Sequence, residues 1–233
     1  MKASILIRSY NALHTIKRAL ESALNQDFSK NEFEVIVVDD GSDDGTFECE
    51  ESYTATNKNL TVLAQPHQGG TPAARLAFSK ARGEYVVVLD SDDEFLPNLL
   101  KTMTQALDAN PSYQFAYPDY YEEYQGKREL VSPKNIFDSV AVGTMFRRVE
   151  VQKVGFYRDN LIFSEYDLLL RTMNIWKGRH VAEAVFMYHR SPTSATSDPL
   201  YVQKGFNELL HLHPDKIADI KKIRSYELPH FHH

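Results

Sequence analysis

"VVVLDSDDEF" (residues 86–95) runs from four apolar residues straight into four carboxylates in five positions, Asp90, Asp92, Asp93 and Glu94. No cation within the stretch neutralises them. An apolar run of this length, bounded by charge, reads as a strand buried on both faces. Carboxylates spaced i, i+2 at its end, Asp90 and Asp92, aim two groups at the crevice where parallel sheets bind ligands. Carboxylates this close repel one another and call for a cation. A hard divalent ion, Mn²⁺ or Mg²⁺, held by one or two of them and completed by substrate phosphates suits the arrangement. The competing reading is a solvated acidic loop opening the next helix, where negative charge favours the N-terminal end. Asp93 and Glu94 take that role, ahead of a helix beginning at Pro97.

Working outward, strands and helices alternate. "ASILI" (3–7) precedes an amphipathic stretch from Ala12, with Leu13, Ile16, Leu20, Ala23 and Leu24 at helical spacing and Asn11 as N-cap. "FEVIVV" (33–38) ends in the turn "DDGSDDG", and "LTVLA" (60–64) is a third strand. "QGGTPAARLAFSKARG" supplies Thr71 as N-cap, Pro72 at the first helical position and Gly83 as the stop. "EYVVVLD" (84–90) is the fourth strand, and a helix reaches from Pro97 to about Ala109. This pattern predicts an α/β fold with a mostly parallel central sheet flanked by helices. Three strand tips, Arg8 to Asn11, Asp39-Asp40 and Asp90 to Asp93, should then converge on one crevice.

The second half is less regular. "QFAYPDYYEEYQGKRELV" predicts two extended segments around Gln125-Gly126, "GTMFRR" another strand, and "EYDLLLRTMNIW" (165–176) a helix. "HVAEAVFMYHR" (180–190) returns as a strand. No Ser/Gly/Pro linker divides the chain, so residues 1–199 read as one domain and 200–233 as a helical tail for packing or a partner. The histidine-rich end "ELPHFHH" is assigned no role.

Gross properties narrow the function. The chain has 233 residues, enough for a real core, and a net charge of −6, which argues against broad nucleic-acid binding. One cysteine, Cys49, permits no intrachain disulfide and favours a reducing compartment. Neither a signal peptide nor a span of membrane length is evident, so the expected location is cytoplasmic. "DGSDDGTFECEE" places Asp40, Ser42, Asp44, Gly45 and Glu51 at the spacing of a calcium-binding EF-hand loop, but such a loop needs a helix before it, and "FEVIVVD" reads as a strand.

In order and spacing, "ILIRSYNALHTIKRALESALNQDF", "FEVIVVDDGSDDGT", "HQGGTPAARLAFSKARGEYVVVLDSDDEFLP" and, more loosely, "FSEYDLLLRTM" resemble the family 2 glycosyltransferases of GT-A fold. The likeness is close over roughly the first 100 residues and weaker to about residue 196. It implies an inverting transferase that moves a sugar from a nucleoside-diphosphate donor, UDP by default, to a hydroxyl of a glycan or lipid-linked acceptor. Such chemistry serves surface polysaccharide or glycoconjugate synthesis, with peripheral contact to the inner face of a membrane left open. Residues 1–110 would then be the nucleotide-sugar half and 111–199 the acceptor half. Tyr10 would stack on the donor base and Asp40 hydrogen-bond it, while Arg75 would face the nucleotide or else pair with Glu84 on the surface. Asp90-Ser91-Asp92 would be the Asp-X-Asp motif, Asp90 at the ribose and Asp92 on the metal.

Two positions depart from the family. Its usual Glu-Asp pair is Ser164-Glu165 here, which makes Glu165 the base and Asp167 the fallback. The family's late histidine aligns with Ser191; His189, two residues earlier, would keep the same strand face and bind the metal, and Arg190 could meet the diphosphate instead. The patch Tyr113, Phe115, Tyr117, Tyr120, Tyr121 and Tyr124 could stack on an acceptor sugar, or about half of it could be core. The rivals are a nucleotide-sugar-binding protein without transfer activity and a sugar-nucleotide pyrophosphorylase. The second would need a glycine-rich loop that "RSYNALHTI" lacks.

Overall fold

Alternation along each strand sorts its apolar residues onto two faces. In the computed structural model, which describes residues 1–159 and 161–226, Ile5, Ile7, Val35, Val37, Val87 and Leu89 join one core with Ile16, Leu20, Leu99 and Met103. Leu6, Ile36, Val38, Val86 and Val88 join the opposite core with Ala73, Ala74, Ala77, Leu168 and Leu170. Each such side chain gains roughly 1.5–3 kcal/mol on leaving water, so burial of both sheet faces, more than local propensity, holds the layers together.

The sheet starts with four parallel strands, β1 (Ala3–Ser9), β2 (Phe33–Asp39), β3 (Leu60–Ala64) and β4 (Tyr85–Asp90), in the order β3-β2-β1-β4. Helices α1 (Ile16–Leu24), α2 (Thr46–Ser52), α3 (Gly70–Lys80) and α4 (Leu99–Asp108) connect and cover them. Then come β5 (Glu94–Phe95), the hairpin β6 (Phe115–Tyr124) and β7 (Lys127–Val131), β8 (Met145–Arg147) and β9 (Gly178–His189). The full order is β3-β2-β1-β4-β8-β6-β9-β5, with β7 on β6. β8 lies antiparallel to β4 and β6, and β9 runs parallel to β6 with irregularities around Pro118 and Asp119. Pro118 has no N–H to donate, which suits a break in the ladder. Helices α5 (Arg148–Val154), α6 (Ser164–Thr172), α7 (Pro199–Leu212) and α8 (Ile217–Ile220) complete the described chain.

Several local expectations shift. The first helix begins at Ile16 and not at Ala12; Asn11 takes a left-handed backbone at φ 46° and ties the β1 and β2 tips together through Ser42 and Asp43. Leu13 is 40% exposed, outside the core. α3 starts one residue before Thr71, after Gly69, and ends at Lys80. Glu94 does not open the next helix, because it pairs with Met187 of β9 as part of β5. The candidate calcium loop follows β2, a strand, and Asp44 instead accepts from Thr46 and Leu13. Residues 227–233, the whole histidine-rich end "ELPHFHH", lie outside the described residues. Among the described residues no helix is long and apolar enough to cross a membrane.

Candidate active site

Register assembles the centre of the site. Arg8 and Asp90 are side-by-side partners on β1 and β4, and neighbouring residues of parallel strands point to the same face. Arg8 Nε donates to Asp90 Oδ1 at 2.8 Å, and its Nη2 lies 2.9 Å from Glu165 Oε1 in the first turn of α6. Burial would lower the pKa of the guanidinium, but the two carboxylates outweigh it and hold it well above its ordinary value. One cation thus bridges the Asp-X-Asp tip and the candidate base. All three line a cavity of about 530 Å³ beyond the carboxyl ends of β1, β2 and β4. Arg8 had no assigned role from sequence. A Cβ on Gly70 would meet Arg8 Cδ at 3.3 Å, so in the fold this glycine makes room for the arginine.

The acidic tip divides differently from the sequence reading. Ser91 and Asp92 also line the cavity. Burial first, and the Asp90 charge second, push the Asp92 carboxyl up to about 6. Arg18 steadies this turn by donating to the Asp92 carbonyl. Asp93 is fully buried and not a helix-opening charge; its Oδ1 accepts the His189 N–H at 2.9 Å and its Oδ2 has no hydrogen-bond partner. Burial, with the Asp92 and Asp90 charges beside it, pushes its carboxyl well above the ordinary range, and its bond to the His189 amide pins the end of β9.

His189 is not brought to Asp92. Its Nδ1 lies 2.8 Å from Glu123 and its Nε2 3.5 Å from Glu94, away from the cavity lining. Strand alternation does not carry His189 into the cavity, because β9 ends at that residue: Tyr188 lines the cavity, His189 does not, and Ser191 reaches it from the loop beyond. Arg190 is turned to Glu122 at 3.2 Å and to the Tyr226 carbonyl. Among the described residues no group of three or more His, Cys, Asp or Glu side chains forms a metal cage. What Asp92 offers is a single cavity-lining carboxylate short of countercharge, which fits an ion whose other ligands come from a diphosphate.

At the side where the sequence places the nucleotide, Tyr10 lines the cavity, 48% exposed, with its ring stacked on His67 at 4.0 Å and 23°. Asp40 is buried in the wall and already occupied. Its Oδ1 accepts from Gln65 Nε2 at 2.6 Å and Gln68 N at 3.0 Å, and its Oδ2 from Gly69 N at 2.7 Å with His67 Nδ1 at 2.8 Å. It therefore shapes the 65–69 loop opposite Tyr10. Gly41 is needed beside it: φ is +78°, and a Cβ would sit 2.8 Å from His67 N. Arg75 is not among the lining residues; it reaches Asp159 at 2.9 Å and the Tyr157 carbonyl at 3.2 Å, and not Glu84.

Asp167 is excluded as a base. It is fully buried and held by Arg171 at 2.9 Å, His213 at 2.9 Å and Arg158 at 3.3 Å, anchoring α6 to its surroundings. The aromatic wall is also not the one expected. None of the six residues from Tyr113 to Tyr124 lines the cavity; Phe115 and Tyr120 are core, while Tyr113 and Tyr117 flank a separate groove. Tyr157, Tyr166, Tyr188, Tyr201 and Tyr226 line it instead. They come from separate elements, so no sequence cluster marked them.

Comparison with known proteins bears on the family and the fold. The profile of the family described as Glycosyl transferase family 2 matches residues 4–168. The chain is 39% identical over 115 residues to the poly(ribitol-phosphate) beta-N-acetylglucosaminyltransferase TarS of Staphylococcus aureus, covering 48% of this chain but 20% of that protein. It is 28% identical over 174 residues to glycosyltransferase AglE of Haloferax volcanii, covering 68% and 57% of the two chains. Among solved structures, residues 1–349 of S. aureus TarS in complex with UDP-GlcNAc superpose with a TM-score of 0.73 at 23% identity, covering 90% of this chain and 67% of that one. The Pyrobaculum calidifontis mannosyltransferase PcManGT, with GDP-Man and Mn²⁺, gives 0.71 at 16%, covering 95% and 68%.

Proposed function

Because the chain belongs to glycosyl transferase family 2, we propose that it transfers a sugar, with inversion, from a nucleoside-diphosphate donor to a hydroxyl of a glycan or lipid-linked acceptor, as a step in building a surface polysaccharide or glycoconjugate. The observation that carries this is the Asp90–Arg8–Glu165 bridge beside Asp92 in the cavity at the strand tips. UDP is the favoured nucleotide, a reading supported by the TarS complex with UDP-GlcNAc. Working at the inner face of a membrane would suit a lipid-linked acceptor.

The residues divide the labour by charge. Arg8 is already claimed by two carboxylates, so the cavity offers a diphosphate little positive charge of its own. A divalent ion, Mn²⁺ or Mg²⁺, held by Asp92 would supply that charge to the departing diphosphate. Tyr10 offers a ring face to the base, and Asp40 keeps the opposing loop in place. Glu165 takes the proton from the acceptor hydroxyl, whose oxygen attacks the anomeric carbon from the face opposite the leaving group. General-base help of this kind contributes ~10²–10⁴-fold.

A titration of UDP-sugars and GDP-mannose with Mn²⁺, followed by turnover, tests the reading. Glu165→Gln should lower transfer by about 10²–10⁴-fold with donor binding intact; lost donor binding would count against its role. Asp92→Ala should remove the metal-dependent part of binding, and unchanged binding would sink that assignment. Donor binding by the wild-type chain without any turnover would favour the nucleotide-sugar-binding alternative.

A further inference from the structure

The last described residues of the chain reach the candidate active site. Tyr201 of α7 and Tyr226, on the strap 223–226 that follows α8, both line the cavity. The strap is fastened at several points. Arg224 N donates to the Phe137 carbonyl at 2.9 Å, its guanidinium reaches Glu122 at 2.9 Å, and Arg190, also on Glu122, donates to the Tyr226 carbonyl. The Tyr226 ring stacks on Phe163 at 5.4 Å and 12°, and Phe163 immediately precedes the helix that carries Glu165.

Proton counting gives Tyr226 a chemical role. Its hydroxyl lies 2.8 Å from that of Tyr166, and Tyr166 spends its one proton on the Ser139 carbonyl at 2.8 Å. Tyr226 is therefore the donor to Tyr166, and its oxygen keeps its acceptor capacity, with no donor to it among the described residues. Tyr201 and Tyr226 line the same cavity as Glu165 and feel its charge. Ring faces and a phenol acceptor, with no unpaired charge among them, suit an uncharged sugar ring bearing hydroxyls.

We propose that the strap 223–226 forms the acceptor end of the active site, and that Tyr226, with Tyr201, is a specificity-determining residue that seats an uncharged glycan ring beside Glu165 and keeps water out. This rests on the transferase reading. In the step it serves, the acceptor O–H gives its proton to Glu165 and its oxygen bonds to the anomeric carbon. The bond from that carbon to the phosphate oxygen breaks, and its electron pair leaves with the nucleoside diphosphate. Water in the acceptor's place gives hydrolysis by the same balance.

The full chain is assayed with UDP-N-acetylglucosamine, UDP-glucose and GDP-mannose plus Mn²⁺, for release of the nucleotide into water and for transfer to glucose, N-acetylglucosamine and chitobiose. Tyr226→Phe keeps the stacked ring and should lower the ratio of transfer to hydrolysis about 10-fold, through a raised acceptor KM. Tyr226→Ala opens the wall and should raise donor hydrolysis about 10-fold with nucleotide affinity unchanged. The ratio is set by active molecules alone, so partial misfolding cancels, and the hydrolysis comparison decides even where no probe sugar is accepted. Unchanged ratio and unchanged hydrolysis in both variants, with an active wild-type chain, overturn the strap's role and leave the transferase reading standing. A wild-type chain that binds and turns over none of the donors overturns the transferase reading, and the proposal with it.

Discussion

Glu50 shows how a single buried group can set the pH response of this protein. It is fully buried in α2, neither carboxylate oxygen has a hydrogen bond of good geometry, and only the Ser9 hydroxyl lies close enough to favour its charge. Burial, aided by Asp39 and Asp44, pushes its carboxyl up to about 8. The folded state therefore holds a proton that the unfolded chain releases near its ordinary value of 4.5. The stability linked to that proton is fully present below about pH 4.5 and is lost as pH rises through about 8, on the order of 3–5 kcal/mol in all. Glu50→Gln cannot ionise, so melting temperature plotted from pH 5 to 9 should fall less steeply than for the wild-type chain; parallel curves would remove Glu50 as the source. Nothing in "TFECEES" betrays this, because the cost comes from what Ser9 and the β2 tip enclose. Arg8 escaped notice for the same reason: its partner Glu165 is 157 positions away, and only the fold makes them neighbours.

Among elements, those with a strong local period were legible and those made by their neighbours were not. β1, β2 and β4 lie where their apolar runs put them, and the Gln125-Gly126 hairpin is where the turn residues predict. β5 is only two residues long and exists because β9 passes beside it. Helix α7 falls within the expected helical tail, but its seat is set by what it packs against. A Cβ on Gly205 would sit 2.6 Å from the Phe163 ring, so this glycine is required by close approach, not by backbone freedom. Gly205→Ala should cost about 1–3 kcal/mol by overpacking, read as a lower melting temperature. An unchanged melting temperature would mean that α7 sits loosely enough to shift.

For the molecule as a whole, one sheet joins both halves of the chain. β8, from the second half, covers the edge of β4, so residues 1–110 alone would leave β4 unpaired along a flat apolar border. That fragment should associate or precipitate, and size-exclusion chromatography showing a stable folded monomer would contradict this. The crevice at the strand tips was legible because parallel topology dictates its place, and Tyr10, Asp90, Ser91 and Asp92, expected from the sequence to face a donor, line the cavity there. The tyrosine wall was not, since it is gathered from five separate positions between 157 and 226. The acidic turn after β4 is clasped at both ends, upstream by β4 between β1 and β8, and downstream by β5 on β9 with Asp93 holding the His189 amide. Its shape is set during folding, so little conformational entropy remains to be lost when a donor arrives. Affinity at this tip should then be governed by charge and dehydration, with only a small ordering penalty.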